Sequence, residues 1–190
     1  IFKIITVAAV LEEGIVEPQT TLYVPEELPY KGTVISEAHD RDEDEPDTKT
    51  VTEIIQKSLN VGTTLLATKL GEKRFYTYMR DFGFGSKTGV ELPGESSGLL
   101  RHPKKWSGVD LAMMSFGQGI AVTSLQMAAA LSVVCNDGVY NKPRLVYYTT
   151  DHEFSTRKTT ALRTKRVLSE RTAGQVRRIM ESVVSIGTGI

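Results

Sequence analysis

Ile1-Phe2-Lys3-Ile4-Ile5-Thr6-Val7-Ala8-Ala9-Val10-Leu11-Glu12-Glu13-Gly14 carries a single charge in its first eleven residues, and apolar side chains surround that charge on every helical face. A helix that is apolar all round is a buried helix. Eleven residues are too few to cross a bilayer and two glutamates follow at once, so the segment reads as a core helix that Gly14 stops. Lys3 is the anomaly. An ammonium in such a place is costly unless it is paired, and desolvation lowers its pKa, which is how an amine becomes a general base near neutral pH. The alternative is a lysine that snorkels from the end of its helix.

A second polar feature stands further along. Thr50 and Glu53 form a capping box that opens a helix over 51–57, and Ser58-Leu59-Asn60 follows at its end. A hydroxyl and an amide two residues apart can point into one cleft, to relay a proton or hold a substrate carbonyl. They can equally do no more than satisfy the end of the helix.

The rest of the pattern describes one domain. The chain has 190 residues, 40% hydrophobic and 24% charged, enough for one sizeable core. Short β-rich pieces at Thr21–Val24 and Thr33–Ile35 flank the turn former Lys31-Gly32 and predict a small hairpin within 20–38. Helices are expected over 61–70 and 72–82, stopped by Gly71 and Gly83, and over 110–116. Thr123 and Gln126 form a second capping box, and the helix 124–136 behind it is apolar over most of its circumference, hence expected to be central and buried. From Pro143 the character changes: 144–150 and 165–168 read as strands, and Ser169 caps a last helix running to about Ser185. The fold class is α+β, with 1–142 mainly helical and 143–190 leading back to a sheet. The chain opens in helical pattern without methionine or N-cap and closes on loop-like Gly187-Thr188-Gly189-Ile190, so both ends are expected to lie inside a longer protein.

Several functions are disfavoured. Twenty-three basic residues balance 23 acidic ones, so no global field favours nucleic acid or an anionic membrane surface. Cys135 has no internal disulfide partner and, in an apolar run, is expected to be a small buried hydrophobe. His39, His102 and His152 show no metal-binding spacing and no triad pattern. Asp40, Asp42 and Asp44 imitate the start of a calcium loop, but Glu45 stands where glycine is required and Val51 where the closing glutamate belongs, so a solvated acidic loop is expected. Neither metal nor organic cofactor is implied. Lys87 follows Ser86, which breaks a P-loop, and the spacing from Gly85 to Gly89 breaks the dinucleotide fingerprint. Trp106, Tyr76, Tyr78, Tyr147 and Tyr148 read as core or rim packing.

Lys87-Thr88-Gly89 carries the letters of a catalytic K-T-G triplet, yet it lies in a Gly/Pro/Ser-rich connector between Gly83 and Gly98, where an active-site edge strand is excluded. It is read as non-catalytic.

Taken together, the pieces resemble a class B penicillin-binding protein, the monofunctional transpeptidase family of division and sporulation. Ile1-Phe2-Lys3 and the helix after it resemble the stretch following the active serine of an S-x-x-K motif, and Ser58-Leu59-Asn60-Val61-Gly62 resembles S-x-N. Phe82-Gly83-Phe84-Gly85 through Leu92-Pro93-Gly94-Glu95, then Ser115-Phe116-Gly117-Gln118-Gly119 and Val122-Thr123, resemble family connectors. The resemblance implies a transpeptidase/serine β-lactamase-like fold, mostly its helical lobe, with the nucleophilic serine just before Ile1 and the catalytic K-T-G after Gly189. It implies a peptidoglycan D,D-transpeptidase: serine attack on a D-alanyl-D-alanine bond of a stem peptide, transfer of the acyl group to a neighbouring strand, and trapping by β-lactams. Lys3 would be the general base, Ser58 and Asn60 would relay protons and hold substrate amides, and backbone N–H groups outside this chain would form the oxyanion hole. It further implies cell-wall synthesis partners and a place on the extracytoplasmic face of the bacterial membrane, anchored by an upstream transmembrane helix. A serine β-lactamase, or a non-catalytic β-lactam sensor or scaffold, is the alternative on the same fold.

Overall fold

The computed structural model describes residues 2–39, 45–151, 157–159, 161 and 163–188. In chain order its elements are α1 (Lys3–Glu12), β1 (Thr21–Tyr23), β2 (Glu27–Tyr30), β3 (Thr33–Ser36), β4 (Thr48–Thr50), α2 (Val51–Gln56), α3 (Asn60–Leu70), α4 (Glu72–Asp81), a 3-10 turn at Pro103–Lys105, α5 (Asp110–Ser115), α6 (Ser124–Cys135), β5 (Val139–Asn141), β6 (Tyr148–Thr150), β7 (Arg157–Thr159), β8 (Thr164–Arg166) and α7 (Glu170–Ile186).

The apolar run of α1 buries Ile5 through Leu11, and α2, α3, α4 and α7 all pack on it. One hydroxyl inside that core is satisfied locally: Thr6 Oγ1 donates to the Ser115 carbonyl at 2.7 Å. At the far end of α1 the Glu12 carboxylate accepts from the backbone N–H of Ser169 at 2.9 Å and from its hydroxyl, also at 2.9 Å. The residue that caps α7 is thereby tied to α1. Gly62 sets the spacing of α2 and α3, since a Cβ there would lie 2.7 Å from Ile54 Cγ1.

Among the described residues the β structure is four antiparallel two-stranded ribbons: β1 with β4, β2 with β3, β5 with β8 and β6 with β7. The predicted hairpin turn is present, but its first arm is Glu27–Tyr30 rather than Thr21–Val24. The turn decides this. Lys31 and Gly32 both have positive φ, 44° and 87°, the two-residue geometry that pairs the immediately flanking residues Tyr30 and Thr33. Pro29 is tolerated because the ribbon is all edge. Thr21–Tyr23 pairs instead with Thr48–Thr50.

Three further expectations change. The strand over 144–150 shortens to Tyr148–Thr150, and that over 165–168 becomes Thr164–Arg166, paired with Val139–Asn141. Helix α6 packs on α7 and β5 but is not buried all round: Gln126, Ala129, Ala130, Val133 and Val134 are buried, whereas Ser124, Ala128 and Cys135 share an exposed stripe. Cys135 is therefore exposed, because position 135 falls seven residues after Ala128 on the open face.

Gln126 also fastens the connector. Its Oε1 accepts the Thr123 N–H at 2.8 Å to close the capping box, and its Nε2 donates to the carbonyls of Ser86 at 2.8 Å and Ser97 at 3.0 Å. Within that connector the Glu95 carboxylate accepts from the Thr88 N–H at 2.6 Å and the Gly89 N–H at 2.8 Å. Lys87-Thr88-Gly89 is thus a carboxylate-pinned turn outside any strand, as its composition predicts.

Candidate active site

Helix α2 ends in a complete Schellman motif. The Leu59 N–H bonds the Ile54 carbonyl at 2.9 Å and the Ser58 N–H bonds the Ile55 carbonyl at 3.0 Å, and Leu59 and Ile54 are both buried. The position between them requires a left-handed residue and is usually glycine. Here it is Ser58, at φ 55°. The left-handed backbone costs about 1–2 kcal/mol for a residue with a Cβ, a strain characteristic of functional positions.

What the serine gains is a partner. The Lys3 ammonium donates to the Ser58 backbone carbonyl and, at 3.1 Å, to the Ser58 hydroxyl oxygen. Lys3 is half-buried rather than fully enclosed: it leaves the first turn of α1 toward an open cleft of about 500 Å³ that Ser58 and Asn60 also line. Burial lowers its amine to about 8, against an opposing pull from the Glu37 carboxylate. With that value about one lysine in ten is neutral at pH 7, enough to serve as a base.

Asn60 opens α3, whose N-cap is Leu59, a side chain that cannot cap. The orphan donors are met from the end of β3. Glu37 accepts the backbone N–H of Asn60 through Oε2 and that of Val61 through Oε1 at 3.1 Å, and the Asn60 side-chain amide donates to the Ser36 carbonyl at 3.0 Å. With that N–H engaged, the amide carbonyl oxygen of Asn60 is free of partners among the described residues and available to a ligand.

Lys3, Ser58 and Asn60, singled out in the sequence from positions far apart, thus line one cleft. Glu37 was not foreseen. Its signal is indirect: a helix that begins on leucine leaves its first N–H groups to be filled from elsewhere. His39 lines the same cleft, while His102 accepts the Lys104 N–H at 3.2 Å through Nδ1 in the 3-10 turn. His152, Asp40, Asp42 and Asp44 lie outside the described residues, and among those described no group of three or more metal-ligating side chains occurs. Glu45 is ion-paired with Lys49 at 2.7 Å and Lys57 at 3.0 Å. The Lys87-Thr88-Gly89 turn borders a different cleft, of about 290 Å³, between α4 and the β5–β8 ribbon. Trp106, Tyr76 and Tyr78 are half-buried, and Tyr147 and Tyr148 are exposed.

Residues 1–190 match the family described as penicillin binding protein transpeptidase domain. Penicillin-binding protein PbpB of Mycolicibacterium smegmatis is 39% identical over 182 residues, which are 96% of this chain and 28% of the relative. Stage V sporulation protein D of Bacillus subtilis is 38% identical over 143 residues, 74% of this chain and 22% of that protein. The chain therefore spans about a quarter of the length of these relatives. Penicillin-binding protein 3 of Mycobacterium tuberculosis, solved in complex with aztreonam, superposes with a TM-score of 0.89 at 35% identity over 96% of this chain and 40% of that one. With the α+β architecture and the clustered Lys3, Ser58 and Asn60 already in place, these matches assign the chain to the penicillin-binding-protein transpeptidase-domain family.

Proposed function

We propose that this chain is the general-base and S-x-N portion of a peptidoglycan D,D-transpeptidase that β-lactams acylate. The observation that carries the reading is the Lys3 ammonium, depressed to about 8 and hydrogen-bonded to Ser58 inside the cleft that Asn60 borders. Support comes also from relatives named probable peptidoglycan D,D-transpeptidase PenA, one of them 36% identical over 99% of this chain, and from the aztreonam complex of a related domain.

In this reading the nucleophilic serine stands one helical turn before Lys3, immediately ahead of Ile1, so that hydroxyl and amine share a helix face. Neutral Lys3 takes the hydroxyl proton as the serine oxygen bonds to the carbonyl carbon of the penultimate D-alanine. The tetrahedral intermediate collapses by breaking the C–N bond, and the proton passes by way of Lys3 and the Ser58 hydroxyl to the leaving amine of the last D-alanine. The free amide oxygen of Asn60 accepts from a substrate N–H. An amine of a second stem peptide then attacks the ester carbonyl; the new C–N bond forms as the C–O bond to serine breaks, and the amine proton passes through Lys3 to the departing serine oxygen, which leaves Lys3 neutral again.

We place the enzyme on the extracytoplasmic face of a bacterial membrane, working with cell-wall synthesis proteins. Among the described residues no helix is long and apolar enough to cross a membrane, so an anchor would belong to a segment outside them. The test is labelling of the longer protein by fluorescent penicillin. One serine should react, and Lys3→Ala, with its circular dichroism unchanged, should lower the acylation rate at least about a hundredfold. Near-normal labelling of a folded Lys3→Ala protein overturns the assignment.

A further inference from the structure

We propose that Glu37 is a positioning residue of the transpeptidase site, joining the orientation of Asn60 to the proton affinity of Lys3 through one carboxylate. The inference rests on the proposed function.

Three observations converge on Glu37. Its two oxygens accept separate backbone donors, those of Asn60 and Val61, at the start of a helix whose own N-cap position is leucine. Its neighbour Ser36 accepts the Asn60 side-chain amide at 3.0 Å, so the asparagine is held at main chain and side chain by two consecutive residues of one strand end. The same carboxylate lines the Lys3 cleft and acts on the ammonium through space.

The sign of its action follows from Coulomb's law. A negative charge beside Lys3 favours the protonated amine and offsets part of the burial that disfavours it. Loss of that charge lets the amine lose its proton at lower pH. The other ionisable groups lining the cleft are His39, two residues on from Glu37, Glu45, and Lys57 at the end of α2. Glu45 is occupied by Lys49 and Lys57, which leaves His39 as the neighbour that a control variant must address.

The experiment measures second-order acylation by fluorescent penicillin against pH in the longer protein, with thermal unfolding in parallel. Glu37→Gln is expected to move the acid limb down by about one pH unit and to lower the plateau about tenfold as Asn60 loosens. Glu37→Asp keeps the charge but withdraws it by a methylene, so its limb should lie between the two and its plateau should largely recover. If Glu37→Gln does not fold, the limb of Glu37→Asp carries the test. A limb that stays in place in a folded Glu37 variant, whatever happens to the plateau, reduces Glu37 to a helix cap and overturns the inference alone. A limb that moves with His39→Gln instead also overturns it. Absence of labelling in the unmodified protein overturns the proposed function and this inference with it.

Discussion

Ser58 shows how a single residue can be held against its preference. Its left-handed backbone, at φ 55°, closes the Schellman motif of α2, a place where glycine would be unstrained. Replacement by glycine relieves about 1–2 kcal/mol of backbone strain and returns about 0.5–1 kcal/mol of chain entropy to the unfolded state. Ser58→Gly is therefore expected to stabilise the protein by about 0.5–1 kcal/mol in chemical denaturation. The same variant should acylate about a hundredfold more slowly, because the hydroxyl that meets Lys3 is gone. A variant that gains stability and keeps its acylation rate would show that the serine is no more than a helix stop. The motif letters made Ser58 visible in the sequence. Its strain was not legible, since S-x-N at a helix end reads equally well as ordinary capping until φ is known.

At the scale of elements, local devices were legible and distant ones were not. Both capping boxes, Thr50 with Glu53 and Thr123 with Gln126, form as their three-residue spacing predicts. The hairpin turn was readable for the same reason, while the arm that joins it was not, because strand propensity favoured Thr21–Val24 and turn register favoured Glu27–Tyr30. Long-range ties such as Glu37 to Asn60, or Gln126 to the connector, leave no period in the sequence. Gln126 is nearly fully buried and serves the capping box and two connector carbonyls at once. Gln126→Ala should cost about 2–3 kcal/mol, the toll of several buried polar groups losing their partner. It should also open the 83–98 connector to proteolysis, which a nicking assay would detect. Loss of stability without new cleavage would mean that Glu95 holds the connector unaided.

Across the whole molecule, α1 is the common contact of four other helices and carries Lys3 at its tip. The core accordingly surrounds the helix that must hold Lys3 still. Hydrogen exchange should rank the molecule in that order. Amides of Ile5 through Leu11 should exchange only through global unfolding, and those of the exposed ribbon end Tyr148–Thr150 should exchange by local opening. Fast exchange inside α1 would contradict the picture of a rigid platform. The extent of α1's apolar surface made its central place predictable. The half-open setting of α6 was not, because an apolar helix looks the same in sequence whether or not every face is covered.

The end of α7 returns to this platform. The Thr188 N–H bonds the Gln56 carbonyl at 3.0 Å, and Thr188 borders the same cleft as Lys3. Loosening of the last turn of α7 would therefore be felt at the wall of the cleft that holds Lys3 and Ser58.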